Sequence, residues 1–230
     1  MLVTRPMPEP VAPELLAMLL EIDPVTVGHF RHWGFVDPAI MPVIAGRRVV
    51  GTAVTVMMPG FDTTMMPYVL DHVRPGDVLI IDRLGDNRHA CMGGVVALAA
   101  KLAGVAAVVI DGRACDFAEI RQYDLPVWCR GDALLTGQSV ALGGALNLPV
   151  ACGGVAVLPG QAVLADTGGV LVVPAEDIAA IHATAMPMQT LEPSRLERLR
   201  AGEKLGAVNG ASAKVAAALA RQQGRGDGHA

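Results

Sequence analysis

The sequence predicts an α/β fold, because apolar segments typical of strands alternate along the chain with segments typical of helices. The central unit is the most informative. Residues 78–82 form an apolar strand, residues 95–102 an apolar helix that follows Gly93 and Gly94, and residues 106–110 a second strand. A strand–helix–strand unit of this length joins two parallel strands. We therefore expect a partly parallel sheet with helices packed against it.

The segments on either side of this unit continue the alternation. Proline at position 13 favours the first turn of a helix, and the stretch rich in valine and threonine around residue 53 is typical of a strand. After residue 139, short apolar pieces are separated by glycine and proline, which indicates short strands. The other expected helices lie at residues 13–20, 26–33, 63–73 and 116–122, from 174–177 onward and at 211–222, and the other expected strands at 47–58, 127–129, 140–142, 150–152, 155–158, 162–165 and 170–173.

The composition excludes several classes of protein. The chain has 230 residues and a net charge of −4, so it carries no basic footprint for nucleic acid. It lacks the run of roughly 20 apolar residues of a membrane helix and has no signal peptide, so we expect a cytoplasmic protein. Four cysteines without a CxxC pair predict reduced thiols. No linker divides residues 1–230, so we expect one domain with a disordered polar tail at 224–230.

The turn before the central helix is the first candidate site. Asp82 and Asp111 end the two central strands, and ligands collect at that edge of α/β sheets. Free N–H groups after Gly93 and Gly94, at the helix N-terminus, can bind a carboxylate or a phosphate. The alternative is that the two glycines only allow the helix to pack closely on the strand.

The loop that precedes this turn contains two further candidates. Arg88 and His89 can contribute to binding an anion, and histidine can act as a general acid or base near neutral pH. The alternative for both side chains is a solvated loop without a role in chemistry.

In their order and spacing, these segments resemble the RraA-like family. That family includes inhibitors of RNase E, metal-dependent 4-hydroxy-4-methyl-2-oxoglutarate aldolases and oxaloacetate decarboxylases. The resemblance extends over most of the chain and rests on residues 49–56, 75–82, 93–101, 104–112, 116, 119–120, 126–127, 149–150, 153–155, 159–160, 165–166 and 169–174. It implies an αββα sandwich related to phosphohistidine swivelling domains, and homotrimers or dimers of trimers with the active site between neighbouring subunits.

The resemblance also implies the site residues. In the aldolases, an acidic residue, twenty intervening residues and an Arg-Asp pair form the site, where the Asp holds a divalent metal largely through water and the Arg orients the substrate. Here Asp116 is the metal Asp, whereas Gly94 stands in the acidic position and Cys115 in the Arg position, with residues 95–114 between them. The residues implied in substrate binding are Gly93, Gly94, Val95, Val96 and Cys115.

Each of the residues near this motif also has a simpler interpretation. Arg113 lies two positions before Cys115, on the same side of an extended segment, so it can supply the missing guanidinium. Its alternative is a surface or intersubunit salt bridge. Asp116 can instead be a helix N-cap, and Cys115 is interpreted as a small packed residue rather than a nucleophile.

For these residues, the resemblance implies a lyase that breaks a carbon–carbon bond in a small 2-oxo acid, by retro-aldol cleavage or decarboxylation. We expect Mg²⁺ (or Mn²⁺) at Asp116, and catalytic roles for Arg113, Asp116 and Arg88. The expected partners are a small carboxylate or 2-oxo acid and further copies of the chain, with neither nucleic acid nor membrane. The alternative is a non-catalytic binding or regulatory protein that keeps the RraA-like scaffold.

Overall fold

The computed structural model describes residues 1–226 and contains the expected alternation of strands and helices. The strands are β1 (Leu2–Thr4), β2 (Met41–Pro42), β3 (Val49–Met57), β4 (Asp77–Asp82), β5 (His89–Ala90), β6 (Ala107–Asp111), β7 (Val127–Cys129), β8 (Leu135–Thr136), β9 (Gly144–Leu146), β10 (Val150–Cys152), β11 (Val155–Val157), β12 (Ala162–Asp166) and β13 (Gly169–Val173). The helices are α1 (Pro13–Glu21), α2 (Pro24–Val27), α3 (Met65–Leu70), α4 (Gly94–Leu102), α5 (Phe117–Gln122), α6 (Ile178–Arg200), α7 (Leu205–Val208) and α8 (Ala211–Gly226).

A mixed sheet forms the centre of the fold. Its strands follow the order β1-β9-β3-β4-β6-β7-β2, and β12 pairs with both β3 and β13. The pairs β3–β4, β4–β6 and β6–β7 are parallel, whereas β12 is antiparallel to both of its partners. The parallel pairing of β4 with β6 confirms the strand–helix–strand unit expected around α4.

Alternate side chains of the central strands enter two separate cores. Val54, Leu79 and Val108 belong to the core that also contains side chains of α3, α4 and α5. Their neighbours, such as Ile80 and Val109, belong to the core shared with the β10–β11 and β12–β13 hairpins. Because both faces of a parallel sheet must be covered, the strands are almost continuously apolar. The expected α/β sandwich is therefore confirmed.

Two expected elements are wrong. The helix expected over 26–33 is only α2, because the chain after it turns to form a bridge between Phe35 and Leu171. Residues 140–142 are not a strand, because Ala141 has a positive φ of 55°. The N–H group of Leu142 is bound by the carboxylate of Asp62 (2.6 Å) instead of by a neighbouring strand.

The chain divides into two compact units, residues 1–183 and 184–230, with the boundary inside α6. In the second unit, Arg198 forms an ion pair with Glu203 (2.6 Å) just after the end of α6. Helix α8 continues to Gly226, beyond the start of the tail expected at 224–230, and residues 227–230 lie outside the described residues. No helix within residues 1–226 is long and apolar enough to cross a membrane.

Candidate active site

The N-terminus of α4 is capped by a carboxylate from a later part of the chain. The N–H group of Gly94 donates to Oδ2 of Asp116 at 2.9 Å. Gly93 precedes the helix in an extended conformation, and a Cβ atom there would collide with Oδ2 of Asp116 and lie 2.7 Å from Sγ of Cys115. Glycine is therefore required at position 93 by the close approach of these two side chains.

Asp116 lies directly before α5 and has left-handed backbone geometry, with φ at 53°. Its carboxylate is exposed and makes no hydrogen bond to the first turn of α5. It reaches α4 instead, so the side chain caps a different helix from the one that the sequence suggested. Outside glycine, left-handed geometry costs on the order of 1 kcal/mol and is enriched at functional sites.

Cys115 contributes a neutral side chain to the same turn. Its backbone N–H donates to the carbonyl of Met92 (2.9 Å), and its thiol lies 3.5 Å from that carbonyl oxygen. Burial raises the pKa of the Cys115 thiol to about 11, and the adjacent charge and hydrogen bond of Asp116 and the charge of Glu119 act in the same direction. The thiol is therefore protonated near neutral pH, and it brings no positive charge where the aldolases carry arginine.

A small cavity adjoins this turn. Its volume is about 150 Å³, and its lining includes Gly93, Val96 and Cys115. Pockets for drug-sized ligands begin at roughly 300 Å³, so this cavity suits a compact molecule. Of the expected substrate-binding residues, Gly93, Val96 and Cys115 thus meet at one cavity. Val95 is 87% exposed.

The two expected catalytic arginines have different surroundings. Nε of Arg113 donates to the side-chain oxygen of Asn87 at 2.8 Å, and its guanidinium lies beside Gly131. Arg88 is exposed, and its backbone N–H donates to Asp86 (3.0 Å). The backbone carbonyl of Arg113 accepts the N–H of Cys91 (3.0 Å), just before the α4 turn, but neither arginine is among the residues that line the small cavity.

His89 and the buried Arg83 share one carboxylate. Nδ1 of His89 lies 3.0 Å from Oδ2 of Asp86, and Nη2 of Arg83 lies 3.1 Å from the same oxygen. Arg83 is fully buried and also donates to the backbone carbonyl of Gly60. Arg83 thus fixes the loop before α4. Sequence reasoning missed it, although a charged residue directly after an apolar strand was the available signal.

Asp82 and Asp111, expected near a ligand, bind backbone groups instead. Asp82 accepts from the N–H groups of Leu84 (2.7 Å) and Ala151 (3.1 Å). Asp111 accepts from the N–H of Gly153 (2.7 Å) and forms an ion pair with the guanidinium of Arg130. The ends of β4 and β6 therefore hold the β10–β11 hairpin, and the site lies at the start of α4.

The comparison with known families addresses the same region. The model of the RraA-like family, described as Aldolase/RraA, matches residues 26–172, which include the α4 turn and Asp116. The chain belongs to the RraA-like family.

The proteins that this chain resembles include a named aldolase, an RNase inhibitor family member and an uncharacterised protein. The chain is 34% identical over 135 residues to a provisionally named 4-hydroxy-4-methyl-2-oxoglutarate aldolase of Halalkalibacterium halodurans, a match over 59% of this chain but only 64% of that protein. It is 30% identical to RraAS2 of Streptomyces coelicolor, an unusual member of the RNase ES inhibitor RraA family, with a TM-score of 0.70 over 82% of this chain and 97% of that one. An uncharacterised protein of Pseudomonas syringae has the same fold at 23% identity, with a TM-score of 0.75 over 87% and 95% of the two chains.

Whether this RraA-like site suits a metal depends on its donor set. Within residues 1–226, no group of three or more His, Cys, Asp or Glu side chains could hold a metal ion, so a zinc site of three or four protein ligands does not fit. Mg²⁺ behaves differently, because it keeps several waters and uses one or two carboxylates plus the substrate. Asp116 is exposed, and after accepting one N–H it has further lone pairs to offer. The residues present therefore fit Mg²⁺ or Mn²⁺ held largely through water.

Proposed function

We propose that this RraA-like protein binds a small 2-oxo acid at the N-terminus of α4 and breaks the C3–C4 bond, one carbon removed from the 2-oxo group. One observation carries the proposal: the carboxylate of Asp116 joins the α4 turn directly beside a cavity of about 150 Å³. A positive helix end, an exposed carboxylate and a compact cavity are what such a reaction needs together. The similarity to a named aldolase supports the same class of reaction.

The substrate carboxylate binds to backbone amides in the first turn of α4. The first N–H bonded within this helix is that of Ala97, which donates to the carbonyl of Gly93 (2.9 Å). The N–H of Gly94 is occupied by Asp116, which leaves the amides of Val95 and Val96 for the ligand.

Asp116 would hold Mg²⁺ or Mn²⁺ through water, and the bound cation supplies Lewis-acid polarisation of the 2-oxo oxygen. The chain's own positive charges lie in the surrounding loops. Arg113 is oriented by Asn87, and Arg88 extends from the loop before the turn. We assign both guanidinium groups to stabilising the negative charge that develops on the substrate.

Decarboxylation is the reaction that this residue set supports best. In oxaloacetate the C3–C4 bond breaks, C4 leaves as carbon dioxide and the electron pair moves into the C2 carbonyl as an enolate. A proton from water then adds to C3 and gives pyruvate. Retro-aldol cleavage additionally needs a base for the substrate hydroxyl, and general acid–base help contributes about 10² to 10⁴-fold. With Gly94 in the acidic position and Cys115 in place of arginine, we expect retro-aldol cleavage to be absent or weak.

The experiment measures pyruvate formation from oxaloacetate with and without Mg²⁺, beside the uncatalysed metal reaction. We expect Mg²⁺-dependent turnover by the wild-type chain and loss of at least about tenfold in Asp116→Asn. Arg113→Ala should also remove most of the activity, since a missing charged donor costs on the order of 3 kcal/mol in the barrier. Equal rates for the wild-type chain and Asp116→Asn would refute the proposal.

A second function is favoured by one observation, the neutral thiol of Cys115 in the arginine position. This second function is that of a non-catalytic protein, which would bind a carboxylate at the same site without converting it. A thermal-shift experiment with Mg²⁺ and oxalate separates the two, because a ligand of the folded state raises the melting temperature. Stabilisation by oxalate together with no decarboxylation would favour the binding protein.

A further inference from the structure

Arg31, which follows α2 in the chain, is a buried cation with an unsatisfied donor. The residue is only 7% exposed, and its Nη1 atom lies 2.9 Å from Oδ2 of Asp177. Its Nε atom is shielded from water and has no hydrogen-bond partner within residues 1–226. A buried N–H group without a partner is unfavourable, so this guanidinium keeps the capacity to bind a further acceptor.

A cavity of about 480 Å³ adjoins this guanidinium. Its lining includes the apolar side chains of Phe35, Val155 and Val172 and the polar side chains of Arg31 and Gln161. Val155 and Val172 belong to the core that the hairpins share, whereas α4 packs on the other core. Among the described residues, none lines both this cavity and the small one beside α4. The larger cavity is therefore a separate place in the fold, with room for a drug-sized ligand.

Gln161 provides a second donor at the same cavity. Its Oε1 accepts the N–H of Leu158 at 2.9 Å, and only the oxygen of a side-chain amide can accept, so the orientation of this amide is determined. The NH₂ group of Gln161 then has no hydrogen-bond partner among the described residues. Donors of Arg31 and Gln161 that lack acceptors thus line one cavity, and a carboxylate supplies such acceptors.

Trp33 adds an aromatic surface to this cavity. The guanidinium carbon of Arg31 lies 4.7 Å from the centroid of the Trp33 ring, yet Trp33 is 63% exposed. The next residue, Gly34, has a φ of 90°, and a Cβ atom there would collide with the carbonyl oxygen of Val172. The N–H of Val172 also donates to the carbonyl of Gly34 (2.8 Å), so the backbone beside Trp33 is held against β13. An exposed tryptophan fixed in this way is suited to cover the flat apolar part of a ligand.

We propose that this cavity is a second ligand site, which binds a carboxylate with an aromatic body. The salt bridge to Asp177 uses Nη1 of Arg31 and leaves the Nε–Nη2 edge, which can bind a carboxylate through two parallel N–H groups. The NH₂ group of Gln161 donates to the same carboxylate, and the aromatic body lies against Trp33 and Phe35. Because Trp33 is exposed, a small rotation of its ring opens Nε to the ligand. This site is independent of the proposed function.

Isothermal titration calorimetry of the full chain with 2-naphthoate tests the site. We expect 2-naphthoate to bind, and 2-naphthamide, which keeps the rings but lacks the charge, to bind at least about tenfold more weakly. Acetate, which keeps the charge but lacks the rings, should also bind at least about tenfold more weakly. Asp116→Asn should bind 2-naphthoate within about twofold of the wild-type chain, because Asp116 belongs to the α4 turn.

Gln161→Glu is the sharpest variant, because it keeps the acceptor for the N–H of Leu158 and replaces the free donor by a charge that repels a carboxylate. We expect it to bind 2-naphthoate at least about tenfold more weakly than the wild-type chain. The matched control, Gln122→Glu, changes an exposed glutamine at the end of α5 and should bind within about twofold of the wild-type chain. Arg31→Lys keeps a positive charge beside Asp177 but has no guanidinium edge, and should weaken binding at least about tenfold.

Thermal melting checks that each variant is folded, and Gln161→Glu keeps the test decisive if Arg31→Lys is not. Equal affinities of the wild-type chain and Gln161→Glu would overturn the site, as would equal affinities for 2-naphthoate and 2-naphthamide. No binding of 2-naphthoate by the wild-type chain would overturn it as well. None of these results would alter the expected decarboxylation of oxaloacetate at the α4 turn.

Discussion

At the scale of single residues, Asp116 connects the two helices of the site. Its left-handed backbone turns the carboxylate away from α5, and the carboxylate then accepts the N–H of Gly94 on α4. Aspartate tolerates this geometry better than most residues other than glycine. The carboxylate is thereby held at the helix N-terminus, where a negative charge is favourable, and remains exposed for a further ligand.

The role of Cys115 leads to a prediction at the same scale. Because burial and the neighbouring carboxylates raise the pKa of its thiol to about 11, Cys115 is not a nucleophile at neutral pH. We expect Cys115→Ser to leave oxaloacetate decarboxylation within about threefold of the wild-type rate, and Cys115→Arg to increase it, since a charged donor is worth on the order of 3 kcal/mol in the barrier. Steady-state rates of the purified variants are the measurement. An inactive serine variant with a normal melting temperature would point to thiol chemistry instead.

At the scale of elements, Asp62 joins two segments that lie far apart in the sequence. Its buried carboxylate accepts the N–H groups of Thr64 (2.9 Å), Leu142 (2.6 Å) and Gly143 (3.2 Å), as well as the hydroxyl of Thr64 (2.5 Å). These bonds connect the start of α3 with the segment that leads into β9. Asp62 therefore replaces the strand pairing that the sequence suggested for residues 140–142.

Asp62 gives a prediction about stability and pH. Burial disfavours the ionised carboxyl, but the hydrogen bonds from Thr64, Gly143 and Leu142 outweigh it and hold the pKa of Asp62 well below its ordinary value of 3.8. A depressed folded-state pKa means that the contribution to stability is complete above about pH 4, the unfolded-state pKa, and decreases as the pH falls below it. We expect Asp62→Asn to lower the free energy of unfolding by about 1–3 kcal/mol at pH 7 and by less at pH 3.

Urea denaturation of both proteins at the two pH values measures this difference. Asp71→Asn, in an exposed aspartate just after α3, is the control and should change the free energy of unfolding by less than about 0.5 kcal/mol. A deficit of the Asp62 variant that is equal at pH 7 and pH 3 would contradict the ionised, hydrogen-bonded role of this carboxylate.

Length and periodicity explain which elements the sequence predicts. Strands β3, β4 and β6 and helix α4 are apolar over five to nine residues and are bounded by glycine, proline or aspartate, so they are recognised locally. Strands β1 and β9 are each three residues long and exist because they pair with each other, as Leu2 does with Gly144. No local pattern encodes a partner that lies 142 residues away.

The same distinction applies to the site. The glycine turn and Asp116 were expected to be neighbours, and the hydrogen bond between Gly94 and Asp116 confirms that proximity. The use of the Gly94 amide by Asp116, and the approach of Glu119 to Gly94, depend on how α4 and α5 pack together. That packing is set by buried side chains from several elements, and residue spacing alone does not contain it.

At the scale of the whole molecule, apolar side chains remain exposed beside the site. Val95, Leu98 and Leu102 lie on one face of α4 and are 87%, 39% and 79% exposed. A contiguous apolar stripe on a protein surface is typical of an interaction site. We propose that a further copy of the chain covers it, in the trimer or dimer of trimers expected from the sequence, so that the α4 turn lies near a subunit boundary.

The last prediction tests this assembly through Leu102. In analytical ultracentrifugation at micromolar concentration, we expect the wild-type chain, of 23.9 kDa, to sediment as a trimer or a hexamer. Leu102→Lys places a charge on the stripe but is favourable at a helix C-terminus, so α4 should remain folded. Losing the burial of one leucine per interface costs about 1.5–3 kcal/mol, which weakens association roughly ten- to hundredfold and shifts the variant towards monomer.

Leu20→Lys, in the last turn of α1, is the matched control, because Leu20 is also an exposed leucine near a helix C-terminus, and it should sediment like the wild-type chain. A monomeric wild-type chain would refute the assembly. Unchanged association of Leu102→Lys would place the subunit contact away from α4, because a buried lysine without a partner cannot be accommodated at an apolar interface without loss of affinity.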